Sequence, residues 1–208
     1  MKKLQNIAVL VILAAAAVWW LKPDGKDAEV KNRRDPAGVI VAFGDSLTRG
    51  DTAAPGLPWP ALVQEGLPGS RVVNLGRNGE TTASALDRID KVLEVKPAVV
   101  IVTLGGNDLI QRITLGETRA NLIRIFQTLQ EAGVMVFYTS IAPPAVGDNW
   151  TMALEQLTGE EGVALIPTIM AGIWGEPGLM ADRIHPNDAG HRKIAAKVIG
   201  RLEDFSSP

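Results

Sequence analysis

From Val39 onward, short apolar runs alternate with stretches whose apolar residues recur at helical spacing. That alternation predicts a parallel sheet covered on both faces by helices, an α/β fold. The candidate strands are rich in Val and Ile: Val39 to Phe43, Arg71 to Asn74, Ala98 to Thr103, Val134 to Tyr138 and, with the weakest pattern, Val163 to Ile166. Ahead of the fourth run, Leu115 to Ala132 places Leu122, Ile125, Phe126 and Leu129 on one helical face and stops at Gly133. Asn187 to Leu202 predicts a terminal helix.

The first 37 residues break this pattern. Lys2 and Lys3 precede the uncharged run "IAVLVILAAAAVWWL", Ile7 to Leu21, which is the layout of an export signal or membrane anchor; a buried core helix is the competing interpretation. Ala14 to Ala17 offer small residues for cleavage. Trp19 and Trp20 follow and suit a membrane interface, so residues 1–21 are expected to remain as an anchor, although the run is shorter than the ~20 residues a spanning helix needs. Residues 22–37, "KPDGKDAEVKNRRDPA", are polar and broken by Pro and Gly, which predicts a linker. Residues 38–208 form the expected single domain.

Composition narrows the chemistry. A chain of 208 residues, 46% hydrophobic, can bury one sizeable core. Its formal net charge of −2, with both signs spread along the chain, leaves no basic face for nucleic acid. There is no Cys, which removes disulfides, cysteine-rich zinc sites and thiol nucleophiles together. The histidines are His185 and His191.

In open parallel sheets, ligands bind at the carboxyl ends of the strands. Polar loops sit there: "GDSLTRG" after the first strand, "NLGRNGETT" after the second, "LGGND" after the third and "SIAPP" after the fourth. Each alone is compatible with an ordinary turn or helix cap. Just before the terminal helix, "DRIHPNDAGH" sets Asp182 three residues from His185, close enough to share one side of the backbone. A serine nucleophile needs a base to take its proton and a carboxylate to fix the imidazole tautomer. Ser46, His185 and Asp182 meet that requirement. His191 falls where the terminal helix is already running and is expected to pack or lie at the surface.

These strings together resemble the SGNH subgroup of the GDSL esterases and lipases: "FGDSLT" around Ser46, "NLGRNGETT" around Gly79, "GGND" around Asn107 and "DRIHPNDAGH". The resemblance spans residues 39 to about 200 and is nearest to the small bacterial thioesterase, lysophospholipase and arylesterase type. It implies a three-layer α/β/α fold with a five-stranded parallel sheet, close to the flavodoxin-like arrangement. It also implies site roles: Ser46 as nucleophile and backbone donor to the oxyanion hole, Gly79 as a second backbone donor, Asn107 as a side-chain donor, His185 as base and then acid, and Asp182 as its orienting carboxylate. Asn78 stands where relatives often carry Ser, which makes Gly76 a rival to Gly79. After "GGND" comes "LIQRITLG", so Leu109 and Ile110 either line an apolar pocket or open the next helix. The nucleophile elbow of α/β-hydrolases, G-x-S-x-G, is not met, since position 48 is Thr.

The expected activity is hydrolysis of carboxylic ester or thioester bonds of acyl substrates through an acyl-enzyme intermediate, with no metal or other cofactor. An enzyme tethered by its N-terminus in a bacterial inner membrane and facing the periplasm, or periplasmic or secreted where the N-terminal segment is cleaved, and working as a monomer, is the expected setting. A carbohydrate O-acetylesterase is the alternative activity. A tethered binding protein that has lost catalysis is the alternative from another class.

Overall fold

The computed structural model describes residues 29–141 and 148–206. The expected anchor, residues 1–21, and part of the "SIAPP" loop lie outside these residues. Among the described residues no helix is long and apolar enough to cross a membrane.

The five expected strands form a single parallel sheet, β1 (Gly38–Gly44), β2 (Ser70–Gly76), β3 (Val99–Thr103), β4 (Met135–Thr139) and β5 (Ala164–Leu165), in the order β2-β1-β3-β4-β5. Strands β1, β3 and β4 lie in the middle and are buried almost throughout, as continuous apolar runs require. Side chains alternate between the two faces. On one, Ile40, Ala42, Val99, Ile101, Met135 and Phe137 pack with α2 (Trp59–Gly66) and α8 (Asp188–Glu203). On the other, Val41, Phe43, Val100, Val102, Val136 and Tyr138 pack with α3 (Thr82–Leu86), α4 (Ile89–Glu94), α6 (Leu115–Glu131) and α7 (Asp148–Glu161). The result is the three-layer α/β/α arrangement with flavodoxin-like strand order.

Helix α6 starts as its sequence dictates, with a capping box in which Thr114 and Glu117 satisfy each other's backbone amides. His191, in α8, is fully buried and its Nδ1 accepts from the Trp59 amide at 3.3 Å. Burial pushes this imidazole down to about 4, so it serves as neutral packing.

In this order the sequence after β1 leads to β2 on one side, whereas that after β3 leads to β4 on the other. The two loops diverge and leave a crevice at the carboxyl ends of β1 and β3, the topological switch point. The short helices α1 (Ser46–Arg49) and α5 (Gly106–Ile110) start there.

One expectation needs correction. Residues 30–34 do not behave as a linker; they clasp the opposite end of the sheet. Val30 is buried, the Lys31 amide donates to the Gly162 carbonyl at 2.9 Å, and Arg34 donates to the Gly133 carbonyl at 3.0 Å. Asn32, held in the left-handed region (φ 54°), donates through Nδ2 to the carbonyls of Gln130 and Val134 at 2.8 and 3.1 Å. Polar composition concealed this, because a backbone amide, the Asn32 side chain and the Arg34 guanidinium all bond to backbone carbonyls. Burial of Val30 and the four bonds stabilise by a sum that little exceeds the ~1–2 kcal/mol per residue lost in ordering the segment, so the net contribution of the clasp is on the order of 1 kcal/mol. A chain starting at Gly38 is therefore expected to melt about 3 °C below one starting at Glu29. Differential scanning calorimetry of the two truncations tests this, and equal melting temperatures would remove the clasp from the stability account.

Candidate active site

Strand β1 ends at Gly44, and Asp45 turns the chain into α1. Its carboxylate accepts from the Leu47 amide at 2.9 Å, capping the helix and leaving Ser46 as the first helical residue. Asp45 is buried, and the loss of solvent pushes its carboxyl up to about 7 despite that hydrogen bond and the proximity of His185. It is a structural cap, as the sequence suggests, but one that also touches the site: Asn107 Nδ2 donates to Asp45 Oδ2 at 3.2 Å.

The "DRIHP" segment brings the other half. Ala181 N–H donates to the His185 carbonyl at 2.9 Å, and Met180 pairs with Pro186, closing a tight loop ahead of α8. Asp182 Oδ1 accepts from the amides of Ile184 and His185, each at 2.7 Å. Those backbone bonds, with the imidazole contact, hold its carboxyl down at about 2, so it stays ionised through the neutral range. His185 Nδ1 lies 2.8 Å from Asp182 Oδ2, and Nε2 lies 3.0 Å from Ser46 Oγ. With an ionised acceptor on one side, Nδ1 carries the imidazole proton, which leaves Nε2 free to accept the serine proton.

Gly79 has φ 71°, a conformation glycine adopts without penalty, and it lines the same cleft as Ser46. The rival, Gly76, has its amide engaged elsewhere. Its N–H donates to Asn74 Oδ1 at 2.9 Å, and a Cβ there would lie 2.3 Å from the Arg49 amide nitrogen, so the position serves close packing of α1 on β2. Asn107, in the first turn of α5, directs Nδ2 to the Glu80 carbonyl at 3.0 Å as well as to Asp45. Both amide hydrogens thus have protein acceptors. Donation to an incoming oxyanion means sharing one of them.

Residues behind this set escaped the sequence analysis. Glu80, buried, is ion-paired with Arg88, whose guanidinium sits 4.6 Å over the Phe43 ring and donates to the Leu75 carbonyl at 2.8 Å. The pair fixes the loop that carries Gly79 and the Asn107 acceptor. Asp108, fully buried, accepts from the Thr82 amide at 3.0 Å and from Thr118 Oγ1 at 3.3 Å, tying α5 to α3 and α6. The acids inside "GGND" and "NGETT" were the available signal.

Two hollows meet at Ser46. A cleft of about 350 Å³ is lined by Asp51, Thr52, Asn78, Gly79, Asp182 and His185, and by Ser46, Asn107, Ile110 and Ile184, which it shares with the second hollow. A narrower hollow of about 170 Å³ runs along Leu47, Ile110, Ile141, Trp174 and Ile184. Ile110 is the last residue of α5 and lines this wall, in line with the pocket reading of that residue; it does not open the next helix, which begins at Leu115. The constellation of hydroxyl, imidazole and ionised carboxylate beside amide donors can carry nucleophilic acyl transfer.

Comparison with known proteins agrees. The model of the GDSL-like Lipase/Acylhydrolase family matches residues 42–193. The chain is 33% identical over 177 residues to Esterase TesA of Pseudomonas aeruginosa, covering 78% of this chain and 86% of that protein. It is 29% identical over 179 residues to Thioesterase 1/protease 1/lysophospholipase L1 of Escherichia coli K12, covering 82% and 86%. A crystal structure of TesA superposes with a TM-score of 0.74 at 31% identity, covering 81% of this chain and 99% of that one.

Proposed function

Because the chain belongs to the GDSL-like lipase/acylhydrolase family and is an ester-hydrolysing serine hydrolase, we propose that it cleaves medium-chain acyl esters and thioesters through an acyl-enzyme on Ser46. Ser46 Oγ attacks the substrate carbonyl while His185 Nε2 takes its proton. The oxyanion is met by the Ser46 and Gly79 amides and Asn107 Nδ2. His185 then protonates the departing alcohol or thiol, and a water activated by the same nitrogen releases the acid. Asp182 holds the imidazole and balances its charge. One chain supplies all of these groups, which supports a monomer as the working unit.

The observation that carries this proposal is the Ser46–His185–Asp182 relay, with its 3.0 and 2.8 Å contacts. The apolar hollow beside Ser46 supports an acyl chain longer than acetyl, against the O-acetylesterase alternative. The Lys2–Lys3 pair ahead of the Ile7–Leu21 run supports a place in the cell envelope.

Nitrophenyl esters of increasing chain length test the acyl assignment. Each buried methylene is worth up to ~0.8 kcal/mol, so kcat/KM is expected to rise at least about tenfold from acetyl to octanoyl. Activity confined to the acetyl ester would transfer the protein to the O-acetylesterase class.

A further inference from the structure

The wider cleft carries a fixed carboxylate that the acyl-transfer machinery does not use. Asp51 Oδ1 accepts from Arg49 Nε at 2.8 Å and Oδ2 accepts from Asn78 Nδ2 at 2.7 Å. The two bonds clamp a half-exposed side chain against the cleft wall, and the same bonds hold its carboxyl below the usual aspartate range. Asp182 presents a second ionised carboxylate to this cleft. No Lys or Arg occurs among the described residues that line this cleft. Arg49 meets Asp51 without joining the lining, and Arg183 lines the apolar hollow instead.

The two hollows share Ser46, Asn107, Ile110 and Ile184 and differ in the rest of their lining. The narrower one adds Leu47, Ile141 and Trp174 and suits hydrocarbon; the wider one adds Thr52, Asn78, Asp51 and Asp182, a part of the wall suited to hydroxyl groups and unfavourable to anions. Specificity of this sort requires a repulsive element as well as attractive contacts. We propose that Asp51 is a specificity-determining residue that selects esters of uncharged or cationic alcohols, such as glycerol-like polyols, and rejects leaving groups bearing a phosphate next to the scissile bond. The proposal rests on the hydrolase reading above and on assigning the apolar hollow to the acyl chain.

The test compares the full chain on two substrates with the same acyl group and the same ester bond, monooctanoylglycerol and monooctanoylglycerol 3-phosphate. Like charges about 7 Å apart in a partly wetted cleft repel enough to shift kcat/KM about tenfold. The expected ratio of kcat/KM is thus about 10 in favour of the neutral ester at low salt. It should shrink as salt screens the carboxylate. Asp51→Asn should lower the ratio several-fold, and Asp51→Lys should reverse it. An equal rate on both esters, or a ratio that neither substitution moves, overturns Asp51 as the selecting group while leaving the hydrolase intact. If neither ester nor the nitrophenyl series is turned over, the hydrolase reading falls and this proposal with it.

Discussion

Ser46→Ala is expected to abolish labelling by a fluorophosphonate probe and to lower kcat/KM for the octanoyl nitrophenyl ester by ~10⁴-fold or more. The size follows from where Ser46 sits. It opens a helix at the end of β1, and its Oγ is the hydroxyl 3.0 Å from His185 Nε2. Removing it leaves the imidazole with nothing to deprotonate except water, so what survives is the contribution of binding and oxyanion donors. The fold should be unaffected, because Asp45 and not Ser46 caps α1. A folded wild type that fails to label would instead favour the tethered binding protein, and an Ala variant that still labels would move the nucleophile elsewhere.

Asn107→Ala is expected to lower kcat by ~10²–10³ while KM moves far less, since an oxyanion donor acts on charge that develops only in the transition state. The effect has a second component. Asn107 also bridges the Glu80 carbonyl and Asp45 Oδ2, so its loss releases the loop carrying Gly79 from α5 and leaves a buried acceptor unmet. Asn107→Asp should be no milder, because a carboxylate would then face both Asp45 and a carbonyl oxygen. Steady-state kinetics with a parallel melting curve separates the two components: loss of kcat with an unchanged melting temperature isolates the catalytic one. A variant with full kcat would leave the oxyanion to the backbone donors.

Much of the fold is legible in the sequence. The strands were readable because a sheet covered on both faces must be apolar at consecutive positions, and α6 because its apolar spacing ran for many turns. Other helices left no comparable signature. The stretch α2 lies between Pro58 and Gly66 with Pro in its first turn, and α3 and α4 are single short turns. Their positions are set by packing on β1 and β2. The residues proposed for chemistry all sit in the recognisable strings, whereas Glu80 and Arg88 read as ordinary surface charges eight positions apart. Only their enclosure against Phe43 makes them a buried pair. The same limit explains the clasp, whose bonds run to backbone carbonyls about a hundred residues away in sequence.

That clasp fixes how the molecule can be held. Gly133, Val134 and Gly162 precede β4 and β5, so residues 30–34 grip the amino ends of the strands, while Ser46 stands beyond the carboxyl end of β1. Strands of this length, at ~3.3 Å per residue, separate the two poles by about 20 Å. Arg33 covers the Phe205 ring at 4.6 Å, so both ends of the described chain emerge at the pole far from the nucleophile. A purification tag, a resin bead or a display scaffold joined directly at Glu29 or Ser206 would hang behind the enzyme. The cleft would stay turned outward, open to substrates as bulky as a micelle.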